Sequence, residues 1–310
     1  MDITLMTVAM NAIIKMLLMV LVGFMGYKIG FIDEKDTDSI TRMLSNILCP
    51  ATLLASYFKE FETEKARSLF MAIGMGLLIH LLSILISKVA IRKKNNPDWE
   101  VEQLIVTFGN MGFMGIPLIQ AMFGEDGVFL QSGILLVANI MLWSYGVMVF
   151  AGKADKKGLV KMLLSPNILC IAVGMIVYFG RIPVPALIKT PIVAIGDCMT
   201  PVAMIVSGAI VAANNLSDTL KNKRSYLVMA LRLIAAPLAM VPFFSLLGTD
   251  HLLAVVSFTA AGCPAAAMVA VLSRQYGKNE SYASGLFTVT TLLSLLTIPA
   301  MLAVYSIIGV

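Results

Sequence analysis

Ten apolar segments separated by short polar stretches run through this sequence of 310 residues and restrict what it can fold into. A helix needs about 20 mostly apolar residues to cross the hydrocarbon core of a bilayer. Only 13% of the residues are charged, whereas soluble domains average about 25%. We therefore predict an all-α membrane protein with ten spans in contact with the lipid bilayer. The predicted spans are residues 6–27, 39–57, 68–90, 103–123, 128–151, 166–180, 190–213, 226–247, 251–273 and 283–308.

Basic residues are distributed unevenly over the connecting segments. The connections after spans 1, 3, 5, 7 and 9, together with the span ends that adjoin them at Arg42 and Lys88, carry 16 Lys and Arg residues, and the connections after spans 2, 4, 6 and 8 carry five. Basic loops stay on the cytoplasmic side of a membrane, so the first set is predicted to be cytoplasmic and both termini extracytoplasmic. The net charge of +5 is explained by this orientation signal. We expect a multi-pass protein of the plasma membrane that does not bind nucleic acid.

The two halves of the sequence share short motifs at a nearly constant spacing, which indicates an internal duplication. The predicted repeats are residues 1–152 and 166–310, joined by a cytoplasmic linker at 153–165. Each repeat holds five spans, an odd number, so the two insert with opposite orientation. Inverted repeats are typical of secondary transporters. The matched pairs are Gly30 to Ile32 with Gly180 to Ile182, at an offset of 150; Asn46 to Pro50 with Asp197 to Pro201, at an offset of 151; and Gly109-Asn110 with Gly262-Cys263 and Gly124 with Gly277, both at an offset of 153.

Spans 4 and 9 contain residues that interrupt helices. Three glycines, an asparagine and a proline fall between Thr107 and Pro117, and Pro117 is expected to free the carbonyl of Phe113. Span 9 carries Gly262-Cys263-Pro264, where Pro264 is expected to free a further carbonyl. Irregular backbone survives at membrane depth only where protein or a watery cavity covers it. Half-helices that start at such breaks offer unpaired N–H groups to an anion, although kinks that serve packing alone are the competing interpretation.

Polar side chains inside spans are candidates for function because they are costly to insert. Asn110 lies within the first break and can both donate and accept hydrogen bonds. Asp197 and its repeat partner Asn46 are candidates for a coupling or support site, or for hydrogen bonds between helices. Arg232 is expected to extend towards the cytoplasmic face, with pairing to an anionic substrate as the alternative. His80 is expected to be satisfied by a neighbour, with a proton relay as the alternative.

Three motifs resemble the auxin efflux carrier family, which includes the plant PIN carriers and bacterial malate and malonate permeases. Residues 114–124, MGIPLIQAMFG, resemble the fourth-helix motif of that family. Residues 200–209, TPVAMIVSGA, resemble its seventh-helix motif, and Pro264-Ala265-Ala266 followed by Tyr276-Gly277 resembles its ninth. The resemblance extends over the whole chain. One departure is Val269, which stands where PIN carriers have a second proline.

The resemblance implies ten helices in two inverted repeats, with helices 4 and 9 broken and crossing around a substrate site. Helices 1, 2, 6 and 7 would form a scaffold that dimerises, and helices 3–5 and 8–10 would carry an organic anion by an elevator motion. Pro117 would be the crossover proline of helix 4. Together with the breaks and polar residues described above, this gives a candidate substrate site of Gly109, Asn110, Gly112, Pro117, Gly262, Cys263 and Pro264, and a candidate coupling or support site of Asn46, Asp197, Thr200 and Pro201.

These features favour a permease for a small organic anion, such as a dicarboxylate or an auxin-like carboxylate. A symporter driven by protons or sodium and an uncoupled carrier both stay open, and no cofactor or bound metal is expected. A channel is the alternative, because broken helices also occur in channels. An intramembrane enzyme is less favoured, because the sequence has two histidines and lacks an H-E-x-x-H motif.

Overall fold

The computed structural model describes residues 3–153, 156–214 and 216–308, and these residues are almost entirely helical. The one extended pairing in the described ranges is an isolated antiparallel bridge between Gly109 and Ala265. The prediction of an all-α protein is confirmed.

The first half of the chain forms seven α-helices, several of which are continuous with short π-helical turns. The π-turns are Leu44–Leu48, Met111–Gly115 and Leu142–Gly146. The helices are α1 (Ile3–Lys28), α2 (Glu34–Met43), α3 (Cys49–Ala55), α4 (Thr63–Ala90), α5 (Trp99–Thr107), α6 (Ile116–Met141) and α7 (Val147–Ala151).

The second half forms the remaining helices, and one π-turn at Leu231–Ala235 lies among them. The helices are α8 (Lys156–Leu163), α9 (Pro166–Phe179), α10 (Ala186–Asp197), α11 (Met199–Ala213), α12 (Ser217–Lys221), α13 (Lys223–Ala230), α14 (Ala236–Leu238), α15 (Val241–Leu247), α16 (His251–Ala261), α17 (Ala267–Gln275) and α18 (Glu280–Ile308).

Six helical stretches of the described residues are long and apolar enough to cross a bilayer. Two further apolar helices, α9 and α16, are shorter. The predicted spans 4 and 5 run together into one helical stretch from Met111 to Ala151, with a kink at Gly124 where φ is 59°. The structure thus agrees with a multi-pass membrane protein, and the count of ten spans stays a prediction. The six stretches are Thr7–Lys28, Thr63–Ala90, Met111–Ala151, Ala186–Ala213, Lys223–Leu247 and Glu280–Ile308.

Three of the π-turns are each followed by a proline in the second position of the next helix. These prolines are Pro50, Pro117 and Pro237. Proline lacks an N–H and its ring clashes with the carbonyl four residues earlier, and a wider turn is one way in which a helix accommodates such an insertion. The expectation that Pro117 interrupts span 4 is therefore wrong, because the π-turn carries the helix through Pro117 and the interruption lies earlier, at Phe108–Asn110.

Buried polar contacts hold together the ends of α5, α13 and α18. The Glu102 carboxylate is fully buried and accepts hydrogen bonds from Arg224 Nε at 2.8 Å and Nη2 at 2.6 Å. Asn96 Nδ2 donates to the same carboxylate at 2.8 Å, and Tyr282 lies 3.4 Å away. The predicted spans leave Glu102 in the connection before span 4. Its burial could not be predicted, because only the folded chain brings these partners around it.

We predict that Glu102→Gln destabilises the protein by about 1–3 kcal/mol, because it removes the buried negative charge that accepts two hydrogen bonds from the Arg224 guanidinium. Thermal melting in detergent measures the change. Glu280→Gln is the matched control, since Glu280 pairs with Arg274 at 3.8 Å and both side chains are exposed. Exposed pairs contribute little, so equal melting shifts for the two variants would contradict the structural role of Glu102.

Candidate substrate site

The two interrupted helices meet at their breaks. Asn110 N–H donates to the Pro264 carbonyl at 2.7 Å, and Ala266 N–H donates to the Phe108 carbonyl at 2.9 Å. Buried backbone polar groups need partners, and here each break supplies the partners of the other. In this way the two breaks stabilise each other in a region where water would otherwise be required.

A cavity of about 230 Å³ lies against this pair of breaks. Its walls combine apolar side chains with hydroxyl and amide groups, and among the residues that the structure describes no lining residue is Lys, Arg, Asp, Glu or His. Such a mixture of apolar surface and a few polar groups is typical of sites for small molecules. The lining residues are Thr41, Ser45, Cys49, Phe108, Gly109, Asn110, Met111, Gly112, Phe113, Leu135, Ala138, Asn139, Leu142, Asn167, Ala266, Ala267, Met268 and Val271.

The first turns of two helical segments line the cavity. Asn110 is the N-cap of the π-turn that leads into α6, and its Oδ1 accepts from Phe113 N–H at 3.3 Å. Ala266 is the N-cap of α17, and Ala267 and Met268 line the cavity with it. The first N–H groups of a helix have no intrahelical acceptor, and they carry the positive end of the helix dipole. Both starts therefore present positive potential to the cavity.

Arg232 lies behind the opposite, carboxyl ends of the broken helices. Its side chain is fully buried and donates to the carbonyls of Cys263 at 2.8 Å, Val106 at 2.9 Å and Ala261 at 2.8 Å. The expectation that Arg232 extends to the cytoplasmic face is wrong. Carbonyls at the ends of α5 and α16 have no helical donors, and they hold the guanidinium inside the protein.

The residues predicted for the substrate site separate into three groups in the structure. Gly109, Asn110 and Gly112 line the cavity. Gly262, Cys263 and Pro264 are buried in the second break and are not among the residues that line the cavity; the Cys263 carbonyl accepts from Arg232 and the Pro264 carbonyl from the first break. Pro117 is buried in the first turn of α6 and does not line the cavity. The expected free carbonyl before Pro264 is also absent, since the Ala260 carbonyl accepts from Cys263 N–H at 3.3 Å.

The predicted coupling or support residues lie away from this cavity. Asn46 is exposed, and its Nδ2 donates to the Arg42 carbonyl at 2.8 Å. Asp197 is also exposed, and it lies beside a small cavity of about 10 Å³ that Gln120 and Glu125 also line. Thr200 Oγ1 is 3.4 Å from Gln120 Oε1, and Pro201 is exposed. The structure therefore brings Asp197 and Thr200 close to Gln120 but does not join them to Asn46.

Several polar groups near the site were not singled out by sequence reading. Asn139 and Asn167 line the cavity, and the Asn167 Oδ1 is buried without a partner in the described part of the chain. His80, in contrast, was singled out from the sequence; it is satisfied at one ring nitrogen, Nδ1, which lies 2.7 Å from the Gly76 carbonyl. Among the described residues, no group of three or more His, Cys, Asp or Glu could hold a metal ion. The sequence signal for Asn139 and Asn167 is only that each is an amide in an apolar segment.

Comparisons with known proteins place these features in a class. Two relatives are named as uncharacterized transporters. The one from Methanothermobacter thermautotrophicus is 22% identical over 93% of this chain and 96% of its own length. The one from Methanocaldococcus jannaschii is 23% identical over 94% of this chain and 97% of its own length. The helical, apolar fold and the names of these relatives support a membrane transporter.

The profile of the family described as membrane transport protein matches the chain twice, at residues 8–159 and 153–302. The chain belongs to this family, which is the auxin efflux carrier family that its motifs resemble. No cofactor is indicated for it.

Proposed function

We propose that this protein is a secondary transporter in the plasma membrane that carries a small organic anion, such as a dicarboxylate or an auxin-like carboxylate. The observation that carries the proposal is the cavity at the paired breaks. Two helix starts with positive potential line it, and no acidic side chain of the described ranges does. Anions bind at such helix starts. The volume of about 230 Å³ is below that of sites for drug-sized ligands, so a small substrate fits best.

We further propose ten spans in two inverted five-helix repeats, residues 1–152 and 166–310. The two matches of one family profile support this arrangement. Local geometry supports it as well, because Gly124 and Gly277, which the repeat pairs, have φ of 59° and 63°. Helices 1, 2, 6 and 7 of that scheme would form a scaffold and the homodimer contact, and helices 3–5 and 8–10 would move with the substrate. In support, α1 packs most extensively against α11, and α4 against α6.

The cavity lies on the side of the breaks that the basic loops mark as cytoplasmic. Thr41 and Ser45 follow the first basic loop, and Asn167 follows the linker at 153–165. On the other side, Lys59 Nζ and Asp126 Oδ1 form an ion pair of 2.6 Å between the start of the transport helices and the connection near Gly124. Burial lowers the pKa of Lys59, and Asp126 opposes that effect. These features fit an inward-open state in an elevator cycle.

Transport by the purified protein in proteoliposomes tests the proposal. We expect saturable uptake of labelled malate, malonate or indole-3-acetate, stimulated by a proton or sodium gradient if transport is coupled. Empty liposomes and the uncharged analogues malonamide and indole-3-acetamide are the controls. Folded protein that transports none of the three anions would remove the organic-anion assignment, and conductance far above carrier turnover would favour a channel.

A further inference from the structure

The buried guanidinium of Arg232 has no carboxylate partner among the residues that the structure describes. The ion pairs of these residues involve other side chains, and Arg232 is fully buried. Burial of an unpaired charge is expensive unless hydrogen bonds and local dipoles compensate it. The three carbonyls of Val106, Ala261 and Cys263 supply that compensation. Two of them lie at the negative ends of α5 and α16, where a cation is favoured.

Gly109 adjoins both this guanidinium and the cavity. Gly109 lines the cavity, and a Cβ atom added to it would overlap Arg232 Nη2 and lie 3.1 Å from Cζ. The glycine therefore allows a close approach of the positive charge to the cavity wall. Any larger residue would displace the arginine or increase its distance from the cavity.

The electrostatic potential at the breaks is therefore shifted towards positive values. Arg232 neutralises the negative ends of the two broken helices. Their positive counterparts, at Asn110 and Ala266, line the cavity, and none of the lining residues in the described part of the chain carries a formal charge. In a water-poor site a charge acts over a longer range than it does in bulk water, so the guanidinium leaves a net positive potential in the cavity.

We propose that Arg232, acting through the gap at Gly109, sets the charge selectivity of the cavity in favour of anions. The inference rests on the proposed function only in treating the ligand of this cavity as a transported substrate. Arg232 is a positioning and selectivity residue, since it adjoins Gly109 and is not itself among the residues that line the cavity. The effect of Arg232 on the electrostatic potential of the cavity can be tested without knowledge of the substrate.

The test measures how fast charged thiol reagents modify a cysteine in the cavity. Met268→Cys is introduced into a variant whose cysteines 49, 170, 198 and 263 are replaced, because Met268 is 39% exposed and lies in the first turn of α17. The anionic 2-sulfonatoethyl and the cationic 2-(trimethylammonium)ethyl methanethiosulfonates are applied separately. The ratio of their rates is divided by the same ratio for a free thiol, so that it reports the potential in the cavity.

We expect a normalised ratio above one for the protein with Arg232, and a decrease of roughly tenfold in Arg232→Gln, since the reagents differ by two charges. Arg232→Lys retains the charge and should keep most of the ratio. Arg92→Gln, which removes an exposed cytoplasmic arginine, is the matched control and should leave it unchanged. A melting curve shows that each variant is folded.

Two results would overturn the inference. One is a ratio at or below one in the protein with Arg232, which needs no variant at that position. The other is an unchanged ratio in folded Arg232→Gln. An Arg232-dependent ratio in a protein that transports none of the tested carboxylates would support the inference and count against the proposed substrate class, so the two failures are distinguishable.

Discussion

Replacement of Gly109 by alanine is expected to abolish transport and to lower the stability of the fold. The new Cβ would overlap Arg232 Nη2 and lie 3.3 Å from the Cβ of Cys263. Arg232 cannot move aside without losing hydrogen bonds to three buried carbonyls. Overpacking of a filled interior costs about 1–3 kcal/mol, and each buried hydrogen bond that is lost adds to this cost. Melting in detergent and uptake in proteoliposomes measure the two effects.

Gly112→Ala is the matched control for this prediction. Gly112 lies three residues further along the chain, in the π-turn that follows the break, and also lines the cavity, yet a Cβ at this position would meet no atom within 4 Å. Alanine there should leave the melting temperature unchanged or raise it slightly, because it restricts the unfolded chain. Equal melting temperatures for the two variants would contradict the prediction that the close contact between Gly109 and Arg232 makes a side chain at position 109 destabilising.

The sequence was sufficient for the parts of the structure that depend on local composition. Apolar segments of span length indicate helices in a membrane wherever they occur, because no other solvent accepts so much apolar surface. The helix interruptions were also predictable, since glycine and proline are unfavourable inside helices by about 1 and 3 kcal/mol. Gly109, Asn110 and Gly112 were identified in this way, and they line the cavity.

The parts that depend on distant partners could not be predicted in the same way. Hydropathy cannot distinguish an arginine that reaches the membrane surface from one held by three carbonyls, and the acceptors of Arg232 come from residues 29 to 126 positions away. Glu102 is similar, because its partner Arg224 is 122 residues distant. The expectation that Pro117 interrupts span 4 was wrong for a local reason. A π-turn accommodates a proline at a position where the rule for α-helices predicts a break.

Replacement of Asn110 by aspartate is expected to remove anion uptake while the break stays folded. Asn110 is 8% exposed and lines the cavity, and its side-chain oxygen caps Phe113 N–H. Aspartate caps helices as well as asparagine does, so the loss of stability should be small. A carboxylate at this position would repel an anion in the cavity, and uptake should decrease by at least about tenfold, the equivalent of roughly 1.4 kcal/mol.

Three further variants separate capping from contact with substrate. Asn110→Ser keeps a capping oxygen without adding charge, and Asn110→Ala removes the cap at a cost of about 1 kcal/mol in stability. Asn139→Ala removes another amide of the cavity wall, one that bonds to the Leu135 carbonyl within its own helix and caps nothing. If Asn110 acts through capping alone, uptake follows melting temperature, so that serine and aspartate both retain it. If Asn110 contacts an anion, aspartate loses uptake at nearly unchanged stability and serine retains part of it. Equal uptake by the aspartate variant and the unmodified protein would contradict an anion at this break.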